Sequence, residues 1–165
     1  MDKIDLVVSQ WAQEKPHLDT IPMALIGRLL RLSKHIENAT VECHKSFGLR
    51  LGEFDVLATL RRSANHESLT PSELLEALLL TSGAMTNRLD KLQSKGLINR
   101  GLRNQDKRSI SVSLTPAGRV LIDEAIEAHV QVQHSLVSVL NEQDKSELND
   151  SLKTWLSGFE KSITN

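Results

Sequence analysis

The sequence has no tyrosine and one cysteine, and aromatic residues make up only 3% of its 165 positions. A surface that stacks single-stranded bases needs several exposed rings, so the composition argues against that mode of nucleic-acid binding. Cys43 has no second cysteine for an intrachain disulfide. No stretch approaches the roughly 20 apolar residues of a membrane-spanning helix. Residues Met1 to Asp5 show neither the basic start nor the apolar core of a signal peptide, so the expectation is a cytoplasmic protein with no membrane partner. A Gly-rich phosphate loop, a Gly-x-Ser-x-Gly elbow and a His-Glu-x-x-His pair are all missing, and Asp123-Glu124 reads as helix surface. These absences leave an enzyme without support. His129 and His134 are five apart, and Cys43 and His44 are neighbours that point in different directions, so neither a metal site nor a cofactor is expected.

What is present is ordinary in bulk, with 39% apolar and 25% charged residues and a net charge of −1. That composition suits one globular domain over residues 1–165. The informative stretch runs from Leu69 to Leu114. Thr70 is an N-cap, Pro71 occupies the first helical position and Glu73 closes a capping box. A second helix starts with Thr81 or Ser82 as cap and turns Met85, Leu89 and Leu92 inward. It stops at Lys95-Gly96, a last-turn cation followed by a glycine. Ile98–Arg103 and Ser109–Leu114 read as strands, the second alternating Ile110, Val112, Leu114 with Ser111 and Ser113. The polar segment 104–108 joins them. The fold class is therefore mainly α with a small β-hairpin, a winged helix-turn-helix.

The outward face of the second helix carries Ser82, Gly83, Thr86, Asn87 and Lys91. Small hydroxyls and a glycine allow close approach to a major groove, Asn87 can pair with an adenine edge, and Lys91 can neutralise a phosphate. Taken alone, such a face is also an ordinary solvated surface. Charge decides between the two: residues 81–108 hold seven cations against two anions, in a chain of net charge −1. Positive charge is concentrated where the shape could enter a groove. In the wing, Lys107 adds a cation and Arg108 is the candidate for the minor groove, with Asp106 able to brace its guanidinium. A wing arginine could equally serve only solubility.

Helical patterns flank this lobe. Ile4, Val7, Val8 and Trp11 share one face of a short N-terminal segment, where simple packing would account for Trp11. A long helix opens at Asp19 or Thr20 with Pro22 in its first turn, runs to about His44, and ends at Phe47-Gly48. Its stripe of Met23, Ile26, Leu29, Leu30, Ile36 and Cys43 is wide enough for more than one partner, and Cys43 reads as packing. Leu51 to Ser63 forms the next helix, buried through Phe54, Leu57 and Leu60 or the stem of Arg61. After the hairpin, Thr115-Pro116 opens a helix to about Leu140, and Asn141 with Asp144 caps a last one reaching Ile163. Leu148, Leu152, Trp155, Leu156, Phe159 and Ile163 give that last helix an apolar seam too extensive for a helix lying alone.

The runs Gly52-Glu53-Phe54-Asp55-Val56-Leu57, Leu69-Thr70-Pro71-Ser72-Glu73-Leu74, Ser82 to Leu92, Asp106-Lys107-Arg108 and Leu114-Thr115-Pro116-Ala117-Gly118 together resemble the MarR family of bacterial transcription regulators. The likeness spans roughly residues 20 to 160, with the order of elements intact. It implies a homodimer in which residues 1–47 and 115–165 form the helical dimerisation region and 51–114 the DNA-binding lobe. A two-fold dimer sets its recognition helices about one DNA turn apart and so calls for a palindromic operator on double-stranded DNA. The resemblance further implies an affinity set by a small ligand or by oxidation. Repression is expected, because a ligand that loosens binding requires no polymerase contact.

Three charges depart from what packing alone selects. Asp55 and Arg62 are seven apart and share a helix face, while Arg88 lies between Met85 and Leu92 on the inward side of the recognition helix. A charge at the edge of a core must be paired or solvated. An Asp–Arg ion pair is one solution and an anion-binding pocket is another. The chain is similar to the urate-responsive subset of the family at Trp11, Asp55, Arg62 and Arg88, which implies a small anionic or aromatic effector. Oxidation is disfavoured, because the peroxide-sensing relatives place a reactive cysteine near tyrosines. A regulator answering a different phenolic ligand, or a winged helix that binds protein, remains the alternative reading.

Overall fold

The computed structural model describes residues 1–63, 68–78, 82–103 and 106–160, without the side chains of residues 82, 102, 103 and 106–109. Its elements run α1 (Lys3–Glu14), α2 (Ile21–Ser46), α3 (Leu51–Arg62), α4 (Pro71–Leu78), α5 (Ser82–Ser94), β1 (Ile98–Arg103), β2 (Asp106–Leu114), α6 (Pro116–Leu136) and α7 (Glu142–Glu160). The expected class, mainly helical with one antiparallel hairpin in a winged helix-turn-helix, is the observed one. Among the described residues no helix is long and apolar enough to cross a membrane.

Local chemistry sets the boundaries of the lobe. The Thr70 N–H donates to Glu73 Oε2 at 2.7 Å and the Glu73 N–H returns to Thr70 Oγ1 at 3.2 Å, so the capping box opens α4. At the end of α5, Gly96 takes φ 69°. There the Leu97 N–H reaches Leu92 O and the Gly96 N–H reaches Gln93 O, the paired bonds of a Schellman stop. Gly48, at φ 68°, ends α2 in the same way. Thr81, weighed above as the α5 cap, lies outside the described residues, and the helix begins at Ser82.

The core lies under α3, α4, α5 and the hairpin. Leu57, Leu74, Leu92, Val112 and Ile122 are fully buried there, and Met85 and Leu89 join Leu92 as the inward face of α5. In α3 the core residues are Phe54, Val56, Leu57 and Leu60. Leu69 exchanges backbone hydrogen bonds with Val112 in both directions, at 3.0 and 2.7 Å. That bridge fixes the segment before α4 to the wing strand.

The hairpin differs from its expected form. β2 starts at Asp106, three residues before Ser109, because backbone pairing there does not depend on an apolar alternation. Its register breaks: Leu102 faces Ile110 while Arg103 faces Asp106, so residues 107–109 lack a partner on β1. The rest of the expected loop, residues 104–105, lies outside the described residues. At the other end, α6 stops at Leu136 and not at Leu140. The Ser138 N–H and hydroxyl both donate to the Ser135 carbonyl, which tightens the chain into a turn. Thr115 and Asn141 accept from the Gly118 and Asp144 N–H groups, capping α6 and α7.

The flanking helices leave much apolar surface open. α1 packs on α2, where Ile4 meets Gly27. Asp2 and Asp5 hold Arg28 across the same contact. Nothing in α1 or α7 is buried within the chain. Met23, Ile26, Leu30 and Ile36 of α2 and Leu148, Leu152, Trp155, Leu156 and Phe159 of α7 are exposed. Ile163 lies outside the described residues.

Candidate nucleic-acid interface and effector cavity

The apolar face of α5 is locked into the core, so its opposite face is presented outward. Gly83, Thr86 and Asn87 are exposed and Lys91 is half-buried on that face. The side chains of Ser82, Asp106, Lys107 and Arg108 lie outside the described residues, and with them the expected bracing of Arg108 by Asp106. On the backbone, Lys107 and Arg108 fall in the stretch of β2 that has no register partner on β1.

Among the described residues, Lys95 and Arg100 of this segment are already matched within the chain. Lys95 Nζ lies 2.7 Å from Glu53 Oε2 and 2.8 Å from Gly48 O. Arg100 Nη2 lies 2.7 Å from Asp90 Oδ1, tying β1 to α5. Glu53 is buried, and burial would raise its carboxyl, yet Lys95, the Arg50 N–H and their charges hold it below its ordinary range. Lys95 is therefore a structural tie at the end of the recognition helix, and the cations left for an outside anion are fewer than the sequence count.

Residues of α3 and α6, with Leu78 of α4, line an open cavity of about 480 Å³. Asp55, Arg61, Arg62 and Asp123 supply its charges, and Phe54, Ala58, Ile122 and Ile126 supply much of its apolar wall. Asp55 and Arg62, two turns apart on α3, thus meet one space. Arg61 is bound to Asp123 of α6, with Nε 2.5 Å from Oδ1. Arg62 is exposed and reaches only the Thr59 hydroxyl, at 3.3 Å, among the described residues. Burial pushes the half-buried Asp55 carboxyl above its usual range, against the opposing pull of Arg88, His129 and Arg62. Arg88 lies within that field but lines a separate cleft, where its guanidinium crosses Gly52. Trp11, on α1, is exposed and lines neither space. The chain thus assembles Asp55, Arg62 and, through its field, Arg88, and leaves Trp11 apart.

One cluster carries no mark in the sequence pattern. His44 is buried, stacks on Phe54 with ring centroids 3.7 Å apart, and places Nε2 3.1 Å from His129 Nδ1. Burial, with the His129 charge second, lowers the His44 pKa to about 4, so the ring is neutral near pH 7. The two histidines are 85 residues apart, and no local pattern joins them.

A helix-turn-helix with an outward polar recognition face and a β-hairpin wing defines the winged-helix DNA-binding proteins. Within that class the chain matches the MarR family over residues 49–110. It is 37% identical over 142 residues to the HTH-type transcriptional regulator PecS of Dickeya dadantii, an alignment covering 86% of each chain. The structure is similar to that of S. aureus MepR in complex with DNA, with TM-score 0.70 and 25% identity over 80% of this chain and 96% of that one. It is also similar to a mutant of E. coli MarR complexed with operator DNA, with TM-score 0.69 and 26% identity over 88% of this chain and 97% of that one. The chain belongs to the MarR family and is a DNA-binding transcriptional regulator, not an enzyme.

Proposed function

We propose that this regulator is a homodimeric repressor that binds a palindromic operator and is released by a small planar anion, with urate the first candidate. The observation that carries the effector is the cavity shared by Asp55 and Arg62, with Arg88 of the recognition helix acting on Asp55 through its charge. An anionic ring held by Arg62 competes with Asp55 for the neighbouring guanidinium groups. Arg88 responds because its charge is balanced against Asp55, and it stands on the helix that reads DNA. Effector and operator then oppose one another reciprocally. Trp11 enters this reading as a stacking lid contributed in the dimer, since within one chain it lines neither cavity nor cleft.

Dimerisation is supported by the exposed apolar residues of α2 and α7, which a second copy would cover. On DNA, Ser82, Gly83, Thr86, Asn87 and Lys91 meet the major groove, and Lys107 and Arg108, braced by Asp106, meet the minor groove.

The test is a mobility-shift titration on the gene's own upstream DNA at fixed salt, with urate or salicylate added. Release by urate at concentrations where salicylate is inert is the expected result. Release by salicylate alone assigns a different phenolic effector, and binding indifferent to both removes the cavity from regulation. A winged helix that served only protein contacts would leave the DNA unshifted.

A further inference from the structure

The second concavity of the lobe, about 510 Å³, opens between the start of α3 and the outward face of α5. Its basic side chains are Arg50, Arg88 and Lys91, and its small residues are Gly52, Gly83 and Ala84. The one carboxylate on its lining, Glu53, is buried and already accepts from Lys95 and from the Arg50 N–H. The three cations therefore face the cleft with no carboxylate of its wall left to match them. Asn87 and Lys91 of the groove-facing surface share the same wall, so the cleft is continuous with the surface that approaches DNA.

Gly52 has a specific part in this arrangement. A Cβ at that position would overlap Cζ, Nε and Nη2 of Arg88, because the guanidinium lies directly across the α3 backbone. Asp55 is three residues further along the same helix face, so Arg88 spans from the cleft toward the field of Asp55. Only a residue without a side chain lets Arg88 lie there.

We propose that Arg50, Arg88 and Lys91 form a seat for a DNA backbone phosphodiester at the α3–α5 cleft, and that Gly52 is the positioning residue that gives Arg88 access to it. The proposal rests on α5 being the groove-facing helix. It adds α3 to the DNA contact surface, and it gives Arg88 two competing partners, the phosphodiester outside and Asp55 inside. Phosphate contacts fix register and carry no sequence information, so the seat contributes equally to specific and non-specific binding.

The experiment is fluorescence anisotropy of the full chain on its upstream duplex and on a duplex of unrelated sequence, across a salt series. Each phosphate contact contributes roughly 0.9 to the slope of log K against log salt. Arg50→Ala, at an exposed position, is expected to weaken both duplexes several-fold and flatten the slope by about 1. Arg50→Lys is expected to restore most of the slope. Gly52→Ala is expected to act in the same direction without lowering thermal stability, since the three atoms nearest the added Cβ all belong to the movable Arg88 side chain and alanine favours a helix. Arg119→Ala, exposed on α6 away from the cleft, serves as the control. Wild-type slopes for Arg50→Ala and Gly52→Ala would overturn the proposal. So would variants that keep the slope and lose only the response to added urate, which would make the cleft a small-anion site. A wild-type protein without any salt dependence would instead remove the groove-facing assignment of α5 itself.

Discussion

Arg61 and Asp123 join α3 to α6 along the wall of the 480 Å³ cavity, with Nε 2.5 Å from Oδ1 and Nη2 3.3 Å from Oδ2. Arg61 thereby has a salt-bridge partner, whereas among the described residues Arg62 meets only the Thr59 hydroxyl and the longer-range pull of Asp55. Asp123 neutralises one of the two guanidinium groups that line the cavity.

Asp123→Asn should therefore release Arg61 toward the cavity. Both partners are more than a third exposed, so the stability change is expected to stay within about 1 kcal/mol. Urate should displace the operator at a lower concentration than in the wild type, read by mobility shift. An unchanged concentration would mean that Arg61 does not act on the ligand.

Gly118 supports the fold in a way that tolerates no substitution. A Cβ there would run into the Leu97 backbone carbonyl, which also accepts the Thr115 N–H. Backbone cannot swing aside as a side chain can. Gly118→Ala is expected to cost about 1–3 kcal/mol or more, seen as a lower urea midpoint with an unchanged m-value.

Acid should weaken the fold through His44. Its folded pKa of about 4 lies below the ordinary 6.5, so between these values the unfolded chain binds the proton and the folded chain does not. Stability is then full above pH 6.5 and falls as pH drops toward 4, by up to about 3 kcal/mol. Asp55, whose folded carboxyl is raised, acts in the opposite sense at the acid end. Comparing the pH–stability profile of His44→Gln with that of wild type isolates the histidine; identical slopes through this window would refute its role.

Trp155→Glu, on the exposed seam of α7, should yield monomers in sedimentation equilibrium while leaving the lobe folded. DNA affinity should fall by orders of magnitude, since one half-site contact replaces two. A variant that sediments as a dimer would direct attention to the exposed face of α2 instead.

Local signals in the chain were sufficient for much of this architecture. The reciprocal Thr70–Glu73 bonds, the Gly96 stop and the inward Met85, Leu89 and Leu92 all depend on residues within one or two turns of each other, which is the range a sequence pattern samples. Asp55 and Arg62 could be placed on one face for the same reason, but not the α6 wall that completes their cavity. The His44–His129 pair and the Leu69–Val112 bridge join distant segments and carry no periodic mark. The basic count of residues 81–108 was legible, yet its partial neutralisation was not: Glu53 reaches Lys95 only after α3 packs against α5. Trp11, identified by resemblance, remains an exposed side chain of a single chain.

The buried Glu53 carboxylate caps the start of α3 and, in the same grip, holds Lys95 at the far end of α5. Two helices that share such a joint have little play between them. The first turn of α3 and the trailing end of α5 are thereby fixed to one side chain, like two spokes set in one hub.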